Sequence, residues 1–547
     1  MQDPIGAFRR IRELYLSYLD TAFRIEDPTL TEERRTLLRR PGQLCTSPLL
    51  EAQPRWANYE FDFDQIRNAE DEGFGESDEP VLGHLTQKAR EAFVDLIGCG
   101  LMPSSGEGMD RKPFPPYVHQ AQMLARGCRD SQAGVVTSGT GSGKTEAFLL
   151  PILATIMEEA TREGKEWARP EPGYLQRFWW RSHDGLPMAE RNQRGKYEIR
   201  SDARFTEGQA LGWDGYSENR KRKGDIRKPA IRALILYPMN ALVEDQMCRL
   251  RMALDSREAR ECQDRHLNGN RIFFGRYTGK TKGGPAFLMP YEEILGNLDT
   301  QELQQTVGDA IPGLPQGGTV LKDWKKRVSS SRKRRIEEVI AELSQADDLQ
   351  REIRRAAGIA EDQQMGLDAD QDHLDRAFAF SSVDGGELLT RWDMQDTPPD
   401  ILVTNISMLN AMLSRSTEAG MLDATREWLE SDPANRFTLV IDELHLQRGS
   451  EGTEFIYLLR LLIARLGLDD QQRHNQLRIL ASSASLPVEG KEAESSLDYL
   501  YDAFADFGMP YGSSRNDWEQ AIVPGFPKSI AKEEPLPLGL TKGTLLD

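Results

Sequence analysis

A glycine-rich segment at residues 138–145, SGTGSGKT, has the residue types that bind the phosphates of a nucleotide. Its glycines let backbone N–H groups turn toward an anion. Lys144 is expected to reach the β- and γ-phosphates, and the Thr145 hydroxyl to bind Mg²⁺. A flexible strand-to-helix turn is the alternative, but it does not explain why a lysine and a hydroxyl residue follow the last glycine. The predicted nucleotide-binding residues are Ser138, Gly139, Thr140, Gly141, Ser142, Gly143, Lys144 and Thr145.

A pair of carboxylates, Asp442-Glu443, follows the apolar run FTLVI and supplies what a phosphate site still needs. Asp442 is expected to hold Mg²⁺, directly or through water, and Glu443 to polarise the attacking water. A surface acidic pair after a buried strand is the alternative, and it loses weight in a chain with a phosphate loop. Together, the loop and the acidic pair predict a site for ATP and Mg²⁺, with Lys144, Asp442 and Glu443 as its catalytic residues.

Two weaker signals accompany these segments. His445 follows the acidic pair and is placed beside the nucleotide, where it could couple the site to Ser483 and Ser485 at the end of another apolar run. Upstream of the loop, the Gln120 amide could read an adenine edge and the Tyr117 ring could pack beside it. Ordinary core packing is the alternative for Tyr117 and Gln120.

Six apolar runs of strand length are expected to position these residues, and each ends at a polar or glycine-rich turn. Continuous apolar runs are typical of parallel sheets that are buried on both faces, and active loops collect at the carboxyl ends of such strands. The expected fold is α/β, with a mainly parallel sheet flanked by helices. The runs are GVVTS, ALILYP, RIFFGRYTG, DILVTN, FTLVIDE and LRILASSAS.

The expected domain organisation has three parts. Residues 1–112 form a mostly helical accessory region that begins with an amphipathic helix over 3–25, because apolar residues recur there at helical spacing. Residues 113–508 form the α/β domain, with polar or charged insertions at about 162–229 and 283–396. Residues 509–547 are proline-rich and are expected to be a linker.

Composition limits the class of protein. A net charge of −18 argues against a surface covered in nucleic acid but allows a local basic groove. The sequence has no apolar run long enough for a membrane span and no signal-peptide layout at its start. Its five cysteines form no CxxC pair, which favours reduced thiols in a cytoplasmic protein.

Taken in order, the segments resemble the motifs of superfamily 2 helicases of the DExH type, and specifically their first RecA-like lobe. The chain resembles bacterial phage-defence helicases of the DISARM and Druantia systems in the sequence of the segment YPMNALVEDQ and in its large insertions. Those helicases are often linked to a DUF1998 module. The matching segments are PYVHQ (Q-motif), SGTGSGKT (motif I), YPMNALVEDQ (Ia), DILVTN (Ib), DELH (II), SAS (III) and GRYTGKT, which resembles a segment of Hrq-like DNA helicases.

This resemblance implies contact with a nucleic-acid backbone, because motifs Ia and Ib end strands and open helices whose N–H groups and hydroxyls face phosphates. DNA is favoured, and RNA is the alternative. The basic clusters at 219–228 and 321–335 and the aromatic run at 178–180 could also contact nucleic acid, but a solvated face or internal packing is favoured for them. The candidate residues are Pro238, Asn240, Gly279, Thr404 and Asn405.

In this family ATP lies between two lobes, and the second lobe supplies arginines in a QxxGRxxR-like motif. No such motif follows Ser485, and the remaining residues are too few for another lobe and its connection. ATP hydrolysis is therefore expected to need a second RecA-like lobe, in cis or in trans, and other subunits of a defence complex are possible partners. The alternative is a non-catalytic nucleotide-binding scaffold of such a complex.

Overall fold

The computed structural model describes residues 4–23, 25, 27–40, 42–44, 55–74, 79–106, 111–130, 132–139, 141–182, 185–201, 220–283, 318–360, 363–447, 449–470, 472–484, 486, 493–504 and 514–528. The chain divides into two compact units, residues 1–55 with 527–547, and residues 56–526. This division differs from the borders expected at 112/113 and 508/509. The reason is local pairing, because the backbone of Ala57 bonds to both Phe526 and Val118.

The smaller unit contains two described helices, α1 (Pro4–Ala22) and α2 (Pro28–Arg39). The first is the helix expected over 3–25. The side chain of Asp27 accepts hydrogen bonds from two backbone N–H groups at the start of α2 and so caps it. Arg34 and Arg35 both pair with Asp20, which holds the two helices together.

The larger unit is built on one eight-stranded sheet in which every neighbouring pair is parallel. Its order is β12-β3-β11-β10-β6-β9-β7-β8. The two remaining pairs, β1–β2 and β4–β5, are small antiparallel hairpins. The strands are β1 (Ser104–Ser105), β2 (Lys112–Pro113), β3 (Gly134–Thr137), β4 (Ala189–Arg191), β5 (Tyr197–Ile199), β6 (Ala233–Tyr237), β7 (Phe274–Tyr277), β8 (Glu387–Leu388), β9 (Ile401–Asn405), β10 (Phe437–Ile441), β11 (Leu477–Ser483) and β12 (Ile522–Pro524).

Helices cover both faces of this sheet. The helices of the larger unit are α3 (Phe63–Asn68), α4 (Gln87–Gly98), α5 (Val118–Cys128), α6 (Lys144–Ala160), α7 (Asn240–Asp255), α8 (Arg257–His266), α9 (Gly318–Ala356), α10 (Gln371–Ala379), α11 (Arg391–Asp396), α12 (Ile406–Ser414), α13 (Ser416–Ser431), α14 (Gly449–Arg465), α15 (Ala493–Phe504) and α16 (Arg515–Ala521). Short 3₁₀ turns lie at Tyr174–Gln176, Leu444–Leu446 and His474–Gln476. None of the helices in the described ranges combines the length and apolar character that a bilayer span requires.

The six expected strands are all present, and the prediction of an α/β fold with a mainly parallel sheet is confirmed. Successive strand residues point to opposite faces. Val136 and Val440 pack into the core that contains α4–α8, whereas Val135 and Leu439 pack into the core that contains α12–α16. Burial on both faces explains why these strands are continuous apolar runs.

Two edge strands were not expected. The segment 515–524 lies within the predicted linker, but it forms α16 and β12 instead. Trp518 of α16 is fully buried, and Gly525 N donates to Thr137 O at 2.8 Å beyond the end of β12. At the other edge, β8 comes from within the predicted 283–396 insertion and pairs with β7. Both additions lengthen the sheet because they supply backbone partners to an otherwise open edge.

The aromatic and basic segments of the insertions have structural roles. Trp179 and Trp180 are buried in a cluster with Ile336 and Ile340 of α9, so internal packing is correct for residues 178–180. Arg222, in the basic cluster 219–228, has a fully buried side chain, so neither a solvated loop nor an exposed nucleic-acid contact describes that position. For residues 321–335, side chains are described only at 334 and 335, and both residues are exposed.

Candidate functional site

The phosphate loop is held between β3 and α6. Ser138 N donates to Ser483 O at 3.3 Å, and the Ser138 and Ser142 hydroxyl oxygens are 2.6 Å apart. Gly141 and Gly143 have φ values of 75° and 74°, a region that glycine adopts without steric cost. Glycine at these positions therefore suits the turn into α6, whose start has no side-chain cap. Thr140, predicted to bind the nucleotide, lies outside the described residues.

Lys144 and Glu443 meet across the sheet edge. The Lys144 Nζ atom lies 3.8 Å from Glu443 Oε1, although the two residues are far apart in the sequence. That nitrogen is buried and has no hydrogen-bond partner among the described residues. Since a buried ammonium without acceptors is unfavourable, this geometry suits an anion arriving in the loop.

Glu443 has a left-handed backbone with φ of 51°, which is uncommon for a residue with a side chain. This conformation ends β10 and turns the chain into the short 3₁₀ segment Leu444–Leu446. Strained backbone of this kind concentrates at functional sites, where the surrounding structure maintains it. Here it is the local feature that brings the Glu443 carboxylate to the loop.

Asp442 is fixed by the strands on both sides of β10. Its N–H donates to Leu236 O of β6 at 3.0 Å, and the hydroxyl of Ser482 in β11 donates to its carboxylate. Burial raises the pKa of Asp442, and the Ser482 hydrogen bond opposes that rise. The Thr145 hydroxyl accepts from Gln246 Nε2 at 3.0 Å. A carboxylate and a hydroxyl are oxygen donors of the kind Mg²⁺ prefers, so the expected donors Thr145 and Asp442 fit that ion.

His445 lies where the sequence predicted a link between the acidic pair and the strand end that follows. Its Nδ1 atom lies 3.2 Å from Glu443 Oε2 and 3.3 Å from Ser483 Oγ. The histidine therefore touches both Glu443 and Ser483. Ser485, the other predicted coupling residue, lies outside the described residues.

The segment upstream of the loop is positioned differently from the prediction. Gln120 is buried, and both ends of its amide are bonded within the chain: Oε1 accepts from Tyr117 N at 2.9 Å and Nε2 donates to Gly143 O at 3.1 Å. Gln120 therefore braces the phosphate loop, and an adenine contact through its amide would require these bonds to be exchanged. Tyr117 stacks on His119, which also contacts Trp56 edge-on.

The predicted nucleic-acid residues fall into two groups. Pro238 is partly exposed, and Gly279 is exposed with open space around it, so both are accessible. Asn240 begins α7, and its side chain lies outside what the structure describes.

Thr404 and Asn405 are less accessible than expected. Thr404 is fully buried, and its hydroxyl donates to Tyr277 O at 2.5 Å. Asn405 accepts from Met408 N at 2.7 Å and caps α12. The expectation that the Thr404 hydroxyl faces a phosphate is wrong in this structure, because neighbouring β7 already takes that hydrogen bond.

Three residues at the site were missed in the sequence. The hydroxyl of Ser482, and not that of the predicted Ser483, donates to Asp442. The two serines are neighbours in the run SSAS, so the sequence does not show which of them makes this bond. Gln246 is the last residue of YPMNALVEDQ, so the segment was identified but not its contact with Thr145. Trp56 lies beside the loop, since a Cβ at Gly139 would be 3.9 Å from its ring, and no sequence signal indicated this.

Comparison with known proteins finds similarity to helicases. Residues 117–272 match the family model of the DEAD/DEAH box helicases. The chain is similar to the Druantia protein DruE of Escherichia coli (strain UMEA 4076-1), with 26% identity over 491 residues. That alignment covers 87% of this chain and 20% of the relative, so the chain spans about a fifth of the relative's length. These matches confirm the resemblance inferred from the ordered motifs.

Two solved structures are also similar. The DUF1998 helicase MrfA aligns with 80% of this chain and 33% of its own, with 13% identity and a TM-score of 0.30. The Mycobacterium smegmatis helicase Lhr, solved with ssDNA and AMP-PNP, aligns with 74% of this chain and 25% of its own, with 14% identity and a TM-score of 0.29. Both TM-scores lie below 0.5, so neither likeness supports an argument about the site.

Proposed function

We propose that this chain, which carries a DEAD/DEAH box helicase domain, is the ATP-binding lobe of an ATP-dependent helicase or translocase that acts on DNA. The observation that carries the proposal is the meeting of Lys144 and Glu443 at 3.8 Å, with the lysine nitrogen otherwise unpartnered among the described residues. A buried cation beside a turn of glycines and a helix start is a site that a polyphosphate completes.

Each side chain has a distinct task in this proposal. Lys144 binds the β- and γ-phosphates, and the N–H groups at the start of α6 hold the same oxygens. Thr145 and Asp442 hold Mg²⁺, which neutralises charge on the phosphates when bound. Glu443 accepts a proton from the attacking water, and His445 lies against the Glu443 carboxylate at 3.2 Å.

Hydrolysis at a useful rate requires a second RecA-like lobe. Arginines supplied across such an interface contribute about 10³–10⁵ in rate in related phosphoryl-transfer sites. We therefore expect the 547-residue chain to bind ATP–Mg²⁺ and to hydrolyse it very slowly, without strong stimulation by DNA. Brisk DNA-stimulated turnover by this chain alone would show that the second lobe is not needed.

The proposed nucleic-acid contacts are the accessible Pro238 and Gly279, together with backbone N–H groups at the start of α7. Contacts of this type read the phosphate backbone and not the base sequence, as a translocating protein requires. Similarity to a Druantia protein supports a role in bacterial defence with other subunits as partners. Competition between labelled DNA and RNA oligonucleotides at a stated salt concentration separates DNA from RNA as the preferred strand.

The experiment that tests the proposal measures binding of a fluorescent ATP analogue to the 547-residue chain in Mg²⁺. Lys144→Ala is expected to weaken binding by roughly 10–100-fold, because charge-assisted hydrogen bonds to the phosphates are lost. Glu443→Gln is expected to retain binding and, in the assembly with a second lobe, to abolish hydrolysis. The matched control is Lys112→Ala, since Lys112 is an exposed lysine paired with Asp64.

Unchanged nucleotide binding by Lys144→Ala would remove the proposed function. Full activity of the assembly with Glu443→Gln would instead favour a scaffold that binds a nucleotide without using it. The two variants therefore distinguish a chain that does not bind ATP from one that binds it without catalysis.

A further inference from the structure

Two buried polar atoms beside the predicted metal donors have no hydrogen-bond partner among the described residues. They are the hydroxyl oxygen of Tyr237 and the Oε1 atom of Gln246. Both residues belong to the segment that leads from β6 into α7, and neither of these two oxygen atoms has been given a role so far. Buried polar groups are normally paired, so an unpaired atom on each of these two residues requires an explanation.

Tyr237 shares a sheet face with Asp442. Leu236 pairs with Ile441 in the register of β6 and β10, and Asp442 N donates to Leu236 O at 3.0 Å. Tyr237 is therefore the immediate cross-strand neighbour of Asp442. Its side chain is fully buried in the core on the face that also holds α6, the helix that begins at the phosphate loop.

Gln246 reaches the other predicted metal donor. Its Nε2 atom donates to Thr145 Oγ1 at 3.0 Å, while its Oε1 atom is left over. A hydroxyl oxygen has two lone pairs, so this bond occupies one and leaves the second available. Gln246 thus fixes the orientation of Thr145 from α7.

The chemistry of hydrated Mg²⁺ matches the two unpaired atoms. Magnesium keeps several of its waters when it binds to protein and phosphate. A water bound to the ion has its oxygen directed at the metal, so it interacts with its surroundings by donating hydrogen bonds. The groups that receive these bonds must be acceptors, and an amide oxygen and a phenol oxygen are both acceptors.

We propose that Gln246 and Tyr237 are positioning residues that recognise the hydration shell of the nucleotide-bound magnesium, with Gln246 also holding Thr145 in place. The inference rests on the proposed nucleotide site and adds two residues that act through metal-bound water. It links the metal to α7, the helix whose start is a candidate nucleic-acid contact. Binding of Mg²⁺ is therefore connected to α7, whose start is expected to contact the nucleic acid.

The test measures the Mg²⁺ concentration at which binding of a fluorescent ATP analogue reaches half of its magnesium-dependent gain. Tyr237→Phe and Gln246→Leu are each expected to raise this concentration by roughly tenfold, the low end of the usual effect of partners outside the metal's own ligands. Affinity for the analogue in excess EDTA is expected to stay at the wild-type value, because neither side chain is assigned to the phosphates.

Tyr174→Phe is the matched control, since it is another buried tyrosine of the same unit and its hydroxyl donates to Gly269 O at 3.1 Å. This change removes a satisfied hydrogen bond and is expected to lower the unfolding midpoint without moving the Mg²⁺ requirement. Tyr237→Phe should show the reverse: an unchanged or higher unfolding midpoint and a raised Mg²⁺ requirement.

An unchanged Mg²⁺ requirement in both Tyr237→Phe and Gln246→Leu, alongside a clear magnesium gain in the wild-type chain, would overturn this inference and leave the proposed function standing. A wild-type chain that binds no nucleotide at any Mg²⁺ concentration would overturn both. The outcomes are therefore distinguishable within one titration series.

Discussion

Two groups of buried charge lie at opposite ends of the strands of one parallel sheet. Asp442, which follows β10, and Lys144, which follows the loop after β3, lie at the carboxyl ends. Arg232 and Asp400 directly precede β6 and β9 and therefore lie at the amino ends. Both groups place ionised side chains in a low-dielectric setting, so each requires compensation.

The two groups obtain that compensation differently. At the amino ends, Arg232 donates to Asp400 at 2.7 Å and to Glu159 at 2.6 Å, and Phe273 N donates to Asp400 at 2.7 Å. The chain pairs Arg232 and Asp400 with its own groups, although one nitrogen of neighbouring Arg227 has no hydrogen-bond partner among the described residues. At the carboxyl ends it leaves the Lys144 nitrogen without such a partner, where a ligand is expected.

Asp400→Ala is expected to cause the largest loss of folding stability. The Asp400 side chain is fully buried, and its removal leaves Arg232 without one of its two carboxylate partners. Breaking a buried ion pair by removing one partner costs about 3–5 kcal/mol. Urea unfolding is expected to register that loss, whereas Asp64→Ala, which breaks the exposed pair with Lys112, should change the free energy of unfolding far less.

Equal losses for Asp400→Ala and Asp64→Ala would show that the amino-end charges are not held in a low-dielectric network. Nucleotide affinity of the folded Asp400→Ala protein should match that of the wild type, because the substitution lies at the opposite end of the strands. Loss of nucleotide affinity in a folded variant would break the separation between the two groups.

A smaller loss of folding stability is expected when low pH protonates Asp225, which belongs to the same network of buried charges. Burial alone would raise the pKa of Asp225, but the charges of Arg227 and Arg222 outweigh it and hold that pKa well below its usual range. A carboxyl group with a lowered pKa contributes stability that is present above its unfolded pKa of about 3.9 and is lost as the pH falls below it. At pH 7, Asp225→Asn is expected to cost about 1.5–3 kcal/mol.

The check is the free energy of unfolding of both proteins as a function of pH. The difference between wild type and Asp225→Asn should be constant near neutrality and shrink as the pH is lowered below about 4. A difference that stays constant down to pH 2 would mean that the negative charge of Asp225 is not what stabilises this network.

The carboxyl-end group could be predicted from the sequence and the amino-end group could not. Residues 138–145 carry their chemistry in consecutive positions, and Asp442-Glu443 follows directly on an apolar run, so local pattern is sufficient. Arg227 instead pairs with Asp400, 173 positions further along the chain. A basic run such as NRKRKGDIRK has the same appearance whether its arginines are solvated, bound to phosphate or buried against distant carboxylates.

The α/β fold could be predicted because strands that are buried on both faces of a sheet appear in the sequence as continuous apolar runs. The edge strands β8 and β12 were missed because each is two or three residues long and pairs on one side. Thr404 and Gln120 were assigned to ligands on the strength of their polar groups, but nearby backbone already occupies both. Which polar group remains free depends on packing, which the sequence does not state.

The smallest predicted effect is a change in the free energy of unfolding when Lys144, at the carboxyl ends of the strands, is replaced. Lys144→Met removes a mostly buried ammonium whose nearest carboxylate oxygen is 3.8 Å away, and it keeps most of the apolar stem. Since a buried ammonium that makes no hydrogen bond adds little stability, the free energy of unfolding without nucleotide should stay within about 1 kcal/mol of the wild type or rise. The same variant should bind nucleotide more weakly, so added ATP–Mg²⁺ should raise the melting temperature of the wild type more than that of the variant. A loss of several kcal/mol in Lys144→Met would mean that the chain itself satisfies this lysine, and the contrast between the two ends of the sheet would no longer hold.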